Sequence, residues 1–196
     1  MSASLDPRRA IFVISGTQGA GKTTVASLLA RRFEHTVHIS ADVLQKMIVS
    51  GGEWPELERL DADRNVQGEQ ATQLRLRLHN ACLLARSFFE AGYTAIIDDI
   101  VIGDRVEHLL EELAGVDFLF VLLIPSIEAV RLRERERGTE LWREWEWLTE
   151  SIPSTTPKLG LWLDSSHQTA EQTVDEIMRR VWQEALVPAA KAELLA

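Results

Sequence analysis

Cysteine is almost absent from this sequence of 196 residues, in which Cys82 is the single thiol. One thiol cannot form an intrachain disulfide or a thiolate metal site, and this scarcity is typical of proteins from a reducing compartment. The longest apolar run, 118–125, has the length of a strand, whereas a membrane-spanning helix needs about 18 apolar residues. Residues 1–9 contain no apolar stretch of the kind that a signal peptide needs. We therefore expect a soluble, cytoplasmic protein without a membrane partner.

Positive charge is also scarce: 21 lysines and arginines stand against 30 aspartates and glutamates, for a net charge of −9, and only 4 of the cations are lysines. An acidic surface repels polyanions, which disfavours bulk nucleic acid as a partner. The 45% of hydrophobic and 26% of charged residues are ordinary for a globular protein. The length suits one domain over residues 1–196. The oligomeric state stays open, a homo-oligomer included.

Strand-like and helix-like segments alternate along the chain. A continuous apolar run with β-branched residues, typical of a strand buried on both faces, covers 10–14. Further strands are predicted over 36–39, 94–98, 117–124 and 159–163. Apolar residues with helical spacing cover 22–33, 71–91, 104–113 and 174–185. Strands separated by helices predict an α/β fold in three layers, with a parallel sheet between two layers of helices.

The segment from Gly16 to Thr23 matches the phosphate-binding pattern G-x-x-x-x-G-K-[ST] and lies between a predicted strand and a predicted helix. On the order of 0.002 such matches are expected by chance at this composition. Glycines let backbone N–H groups surround a phosphate, and the start of the helix adds its positive dipole end. Lys22 then reaches the β- and γ-phosphates, and the Thr23 hydroxyl ligates Mg²⁺. We expect ATP to contact Gly16, Thr17, Gln18, Gly19, Ala20, Gly21, Lys22, Thr23 and Thr24.

Acidic residues at the ends of two predicted strands refine this prediction. Asp98 ends an apolar strand, where a loop-bound Mg²⁺ needs a carboxylate, and Asp99 is the second choice for that role. These acids could instead cap the next helix. Asp42 follows the second strand and could accept the proton of a phosphoryl acceptor. Alternatively, Ser40 or Asp42 only caps the following helix. Both interpretations stay open.

Arginines are dense in the segment 131–137. Arg133 and Arg137 lie four residues apart and so share one face of a helix. That face could close over ATP and neutralise charge on the transferred phosphoryl group. The alternative is a solvated helix with Arg–Glu pairs on its surface. Asp164 and Ser165, after the last strand, are further candidates for contact with adenine.

Two segments are predicted to flank the ligands. The stretch 51–70 interrupts the strand–helix alternation, and its glycines, Pro55 and acidic residues are typical of a loop. Loops of this length inside a domain are usually functional. The charged segment 126–149 reads as a helix broken near Gly138. We expect an acceptor-binding loop at about 51–70 and a helical lid at about 126–149.

Taken together, these features resemble the chloramphenicol phosphotransferase-like family of small P-loop kinases. The resemblance rests on the phosphate loop, Asp42, Asp61, Asp63, the stretch 96–103, Arg133, Arg137 and the stretch 164–167. It implies a five-stranded parallel sheet of order 2-3-1-4-5, ATP as donor, and Mg²⁺. It also implies that Asp42 is the base on the acceptor hydroxyl and that the two arginines belong to the lid. The chain departs from the family where the acceptor should bind, at Trp54, Arg75, Arg77 and His79.

The sequence therefore predicts an ATP-dependent phosphotransferase that acts on a hydroxyl group of a small molecule, with antibiotics among the candidates. A nucleoside, nucleotide or polynucleotide-end kinase is an alternative. A polynucleotide-end kinase often has a basic residue shortly after the position of Asp42, whereas here Gln45 stands there and Lys46 comes one residue late. A nucleotide-binding regulatory or toxin-like module is the second alternative. An ATPase assay without acceptor, beside a panel of hydroxylated acceptors, separates these functions.

Overall fold

The computed structural model describes residues 8–56, 60, 66–138 and 142–189, the side chains of 142–145 excepted. Asp61 and Asp63, which carried part of the resemblance, lie outside the described residues. The elements in chain order are β1 (Ile11–Gly16), α1 (Lys22–Ala30), β2 (Thr36–Ser40), α2 (Ala41–Lys46), α3 (Gly68–Glu90), β3 (Thr94–Asp98), α4 (Arg105–Glu112), β4 (Phe118–Leu123), α5 (Ile127–Arg137), α6 (Trp142–Thr155), β5 (Leu161–Leu163), α7 (Ala170–Glu184) and β6 (Leu186–Val187).

A parallel sheet of order β2-β3-β1-β4-β5 forms the centre of the fold, as predicted. In its register, Ile14 of β1 lies beside Asp98 of β3 on one side and Val121 of β4 on the other. A further strand, β6, pairs antiparallel with β4 and was not predicted. It is two residues long, too short to show a hydrophobic period.

Both faces of the sheet are covered by helices, which confirms the three-layer prediction. Ile11 and Val13 belong to the core under α3 and α4, whereas Phe12 and Ile14 belong to the core under α1 and α7. β1 is therefore apolar at each position from Ile11 to Ile14, because neither of its faces meets water. Cys82 of α3 is fully buried in the first core. Each large apolar side chain buried in this way contributes about 1.5–3 kcal/mol.

The predicted break near Gly138 is present, and the segment 126–149 contributes to two helices, the second of which ends later than predicted. The first, α5, ends at Gly138, whose φ of 72° lies in the left-handed region that glycine adopts without strain. The second, α6, extends beyond the predicted end because Ile152 is buried in the core. The loop prediction over 51–70 needs a similar correction, since α3 already begins at Gly68. No described helix has both the length and the apolar character needed to cross a membrane.

Candidate active site

The carboxyl ends of the parallel strands bring the predicted site residues to one edge of the sheet. β1 leads into the phosphate loop and β2 leads into α2, which carries Asp42. β3 ends at Asp98, and Asp99 follows it. In the sheet register, Ser40 at the end of β2 lies beside Asp98 at the end of β3. The backbone alone thus places the loop and the acidic residues near one another.

The phosphate loop packs directly against two other elements, which explains its glycines. Gly16 has a φ of 147°, and a Cβ there would lie 2.7 Å from the carbonyl oxygen of Leu123 at the end of β4. Gly19 has a φ of 72°, and a Cβ there would lie 2.5 Å from Cγ1 of Val130 on α5. Both positions need glycine for conformation and for space. The loop therefore lies between the end of β4 and helix α5.

Lys22 opens α1 and turns its ammonium back to the loop, where Nζ donates to the carbonyl oxygen of Thr17 at 2.8 Å. Burial lowers the pKa of Lys22 from its ordinary value, and the carboxylates of Asp98, Asp99 and Asp42 oppose that shift. Three carboxylates therefore act on the ammonium of Lys22 and favour its charged form against burial. Such a group can neutralise phosphate charge at little reorganisation cost.

Asp98 is surrounded by hydrogen-bond donors. Hydroxyl Oγ1 of Thr23 and hydroxyl Oγ of Ser40 each lie 3.4 Å from Oδ1 of Asp98, and Nε2 of His38 contacts Oδ2. The predicted Mg²⁺ residues Thr23 and Asp98 are thus brought together. The contacts of His38 and Ser40 with Asp98 were not predicted, although their spacing of two residues on a strand places both side chains on one face.

Asp99 has a different environment from that of its neighbour. Its Oδ1 accepts from Nη2 of Arg77 at 2.6 Å, and its Oδ2 accepts from Nη2 of Arg105 at 2.6 Å. The backbone N–H of Ile100 also donates to Oδ1, at 2.7 Å. Burial raises the pKa of Asp99, but Arg105 and Arg77 outweigh burial and lower it to about 2. Asp99 therefore holds α3 and α4 to the end of β3, and both of its oxygens are occupied.

Asp42 lies in the first turn of α2, and its side chain is 64% exposed. Its Oδ1 is 3.7 Å from Nη1 of Arg77, the guanidinium that also binds Asp99. Ser40 is the N-cap residue of α2, yet its side chain makes no capping hydrogen bond. The capping alternative thus finds no support at Ser40. Asp42 is a solvent-facing carboxylate that one buried arginine links to the core.

Arg133 and Arg137 of α5 reach the phosphate loop from the other side. Nη1 of Arg133 donates to the carbonyl oxygen of Ala20 at 3.3 Å, and Nη2 donates to that of Ser165. Nη2 of Arg137 donates to Oγ1 of Thr24 at 3.3 Å. These contacts differ from the solvated-helix alternative, in which only Arg–Glu pairs are expected.

A cavity of about 310 Å³ opens between α5, the start of α1 and the loop after β5. Gly21, Thr24, Arg133, Arg137, Ser165 and Thr169 are among the residues that line it. Its size and position beside the phosphate loop fit a nucleoside. The side chain of Asp164 accepts a hydrogen bond from the backbone N–H of Ser166, which shapes the loop after β5. The predicted contact of Asp164 with adenine stays a prediction.

Helix α6 also contacts the phosphate loop, through a residue that was not among the predicted site residues. Oγ1 of Thr149 donates to Oγ1 of Thr17 at 3.0 Å. Oγ1 of Thr156, the residue after α6, accepts from the backbone N–H of Gly103 at 3.1 Å. Helix α6 therefore contacts the loop, and the residue that follows the helix contacts the segment after β3. A lone threonine gives no sequence signal for such a contact.

Comparison with known proteins fits this geometry. The sequence profile of the AAA domain family matches residues 12–149. A sugar kinase from Janibacter sp. HTCC2649 shares 20% identity, with 88% of this chain and 94% of that chain covered and a TM-score of 0.60. The tunicamycin resistance protein of Deinococcus radiodurans shares 19% identity, with 92% and 99% covered and a TM-score of 0.63. An APS kinase of Mycobacterium tuberculosis, solved with AMPPNP and APS, shares 16% identity, with 89% and 98% covered and a TM-score of 0.60.

These structures show a fold in common with small P-loop kinases. No curated protein matches the sequence significantly. Membership of the narrower chloramphenicol phosphotransferase-like family stays a prediction. The matched residues 12–149 include the phosphate loop, the acidic edge and α5, and they amount to more than half of the chain. The chain therefore belongs to the AAA domain family.

Proposed function

We propose that the protein is an ATP- and Mg²⁺-dependent kinase that phosphorylates a hydroxyl group of a small molecule. The observation that carries this proposal is the 3.4 Å separation between the hydroxyl of Thr23 and the carboxylate of Asp98 at the phosphate loop. Hydroxyl and carboxylate oxygens are the protein ligands that Mg²⁺ prefers. The ion usually also retains water molecules and binds phosphate oxygens. When bound, Mg²⁺ neutralises charge on the β- and γ-phosphates.

The chain's own residues supply the rest of a donor site. Lys22 compensates phosphate charge, while the backbone of the glycine-rich loop surrounds the phosphates. Arg133 and Arg137 line the cavity beside the loop, and we assign them the contacts with ATP that the sequence predicts. Their contacts to Ala20 and Thr24 keep α5 against the loop. This arrangement supports the ATP site that the motif predicts.

Asp42 is the proposed base. Its exposed carboxylate lies at the same edge of the sheet as Lys22, where an acceptor can approach the γ-phosphate. As the acceptor oxygen bonds to phosphorus and the bond to the leaving ADP breaks, the hydroxyl proton passes to the carboxylate of Asp42. A base in this role contributes about 10²–10⁴-fold to the rate. Arg77, 3.7 Å away, fixes the direction in which the carboxylate points.

Antibiotics are the acceptor class that we propose first. The chloramphenicol phosphotransferase-like motifs support this class, as does the likeness to a tunicamycin resistance protein. A nucleotide kinase is the alternative, since an APS kinase and a thymidylate kinase share the fold. Against that alternative, the buried cation nearest to Asp42 is Arg77, which is already paired with Asp99.

The test is an ADP-release assay with the full chain, Mg·ATP and a panel of hydroxylated antibiotics, sugars, nucleosides and nucleotides. We expect release that depends on the acceptor, and a loss of about 10²–10⁴-fold in Asp42→Asn with ATP affinity retained. Glu107→Gln is the matched control, because Glu107 is an exposed carboxylate in the first turn of α4. ADP release that no acceptor increases would instead indicate the regulatory alternative.

A further inference from the structure

A row of buried polar side chains lies between α2 and α3. Gln70, Gln73 and Arg77 follow one another on α3 at spacings of three and four residues, so they share one face of the helix. Gln45 of α2 meets them from the other side. These four residues, which we call the polar seam, are each at most 5% exposed. Buried side chains of this kind usually find hydrogen-bond partners.

Gln73 satisfies that expectation completely. Its Nε2 donates to the carbonyl oxygen of Gly51 at 2.7 Å and to Oε1 of Glu69 at 2.9 Å. Its Oε1 accepts from Nε2 of Gln45 at 2.9 Å and from the backbone N–H of Glu53 at 2.8 Å. Gln73 thus fixes the segment after α2 to α3. Its role is structural.

Gln70, one turn earlier on the same face, is the opposite case. Within the part of the chain that the structure describes, neither Oε1 nor Nε2 of Gln70 has a hydrogen-bond partner. Oε1 of Gln45 and Nε of Arg77 also lack partners there. A buried polar atom without a partner destabilises the fold, because it loses its hydrogen bonds to water. Four such atoms in one seam point to a ligand that supplies the missing bonds.

The position and charge of the seam restrict that ligand. Arg77 joins the seam to the proposed base, since Nη1 of Arg77 lies 3.7 Å from Oδ1 of Asp42. The charge of Arg77 is compensated by Asp42 and Asp99, so the seam offers no spare cation to an anionic group. Its unpaired atoms are two amide oxygens, one amide nitrogen and one guanidinium nitrogen. They match a molecule that both donates and accepts hydrogen bonds.

We infer that the polar seam is the acceptor subsite and that it takes an uncharged molecule with several hydroxyl groups. This inference rests on the proposed function. Oε1 of Gln45 and Oε1 of Gln70 accept from acceptor hydroxyls, while Nε2 of Gln70 and Nε of Arg77 donate to acceptor oxygens. Because Gln70 is 1% exposed, α2 shifts from α3 when the acceptor enters. Binding therefore includes a conformational step.

The first test compares Gln70→Met with Gln73→Met, two near-isosteric changes on one helix face. Without ligand, Gln70→Met should melt at or above the wild-type temperature, because it removes two unpaired polar atoms and breaks no hydrogen bond. Gln73→Met should melt lower, because it breaks four. If Gln70 only stabilised the fold, Gln70→Met would melt lower as well, and the inference would be overturned.

The second test measures binding to the full chain with Mg²⁺ and a non-hydrolysable ATP analogue. The probes are monosaccharides, inositols and nucleosides, each beside its monophosphate. We expect ligands among the uncharged compounds, no binding of their monophosphates, and a loss of about tenfold in affinity in Gln70→Met. Ligands only among the monophosphates, no uncharged ligand at all, or unchanged affinity in Gln70→Met would each overturn the inference. Failure of the ATP analogue itself to bind would instead contradict the proposed function.

Discussion

Asp98 and Asp99 are adjacent in the sequence, yet their surroundings differ. Substitution of one should affect Mg²⁺ binding, and substitution of the other should affect protein stability. Asparagine at either position keeps the size of the side chain and removes its charge. In Asp99→Asn, two guanidinium groups lose the carboxylate that they share. In Asp98→Asn, the hydroxyls of Thr23 and Ser40 can still donate to Oδ1 of the side chain. We therefore expect Asp99→Asn to destabilise the protein and Asp98→Asn to weaken Mg²⁺ binding.

The expected magnitude for Asp99→Asn follows from burial. Breaking one partner of a buried ion pair costs about 3–5 kcal/mol. The lower end applies here, because Arg105 is 18% exposed and Arg77 keeps its contact with Asp42. For a chain of this length, about 3 kcal/mol corresponds to a fall in melting temperature of roughly 6–12 °C. Asp98→Asn should melt close to the wild type.

The pH dependence of stability gives an independent check. The pKa of Asp99 is lowered from its ordinary value of 3.8 to about 2 in the folded protein. Its stabilisation is therefore complete above the unfolded pKa and is lost as the pH falls through the folded one. The loss amounts to about 2 kcal/mol. Asp99→Asn should lack this part of the acid-induced loss of stability.

The assays are thermal melting between pH 2 and pH 7 and Mg²⁺-dependent binding of an ATP analogue, measured below the melting transition. Asp98→Asn should weaken Mg²⁺ affinity by about 10–100-fold. Asp99→Asn should leave it unchanged. The opposite pattern, a stable Asp99→Asn that no longer binds Mg²⁺, would refute the assignment of both residues.

Three further predictions concern the nucleotide side of the site. Lys22→Ala should lower the rate of phosphoryl transfer by at least about 10²-fold. It should not lower the melting temperature, because burial disfavours the ammonium in the folded protein. Lys158→Ala is the exposed control and should be active, so equal rates in the two variants would contradict the role of Lys22. Arg133→Ala should weaken ATP binding, measured by calorimetry, by about 10–100-fold. The ATP affinity of Arg135→Ala should be that of the wild type. Hydrogen exchange in α5 should slow when an ATP analogue binds, and equal exchange in both states would remove the lid interpretation.

Much of the fold could be predicted because its central strands are buried on both faces. The apolar run from Ile11 to Ile14 and the phosphate loop after it fix β1 at the centre of an α/β sheet. By contrast, β6 has two residues, and α6 extends past its predicted end to bury Ile152. Such features depend on contacts with distant elements. Local patterns cannot show them.

The candidate site was predictable to a similar extent. Strand alternation places Asp98 on the face of Ile96, towards α1, and Asp99 on the face of Ile97, towards α3. Because side chains alternate between the two faces of a strand, the sequence could have favoured Asp98 over Asp99 as the Mg²⁺ ligand. The pairing of Asp99 with Arg77 and Arg105 could not be predicted, because it joins residues of three elements.

The burial of Cys82 makes this thiol a reporter on the packing of α3 against the sheet. Burial raises the pKa of this thiol, so at neutral pH it is almost entirely protonated and shielded from reagents. It becomes reactive only when α3 separates from the sheet. The rate of thiol labelling relative to that of a free cysteine therefore gives the free energy of this opening. Oxidants that inactivate enzymes with exposed thiols should spare this chain for as long as α3 remains docked.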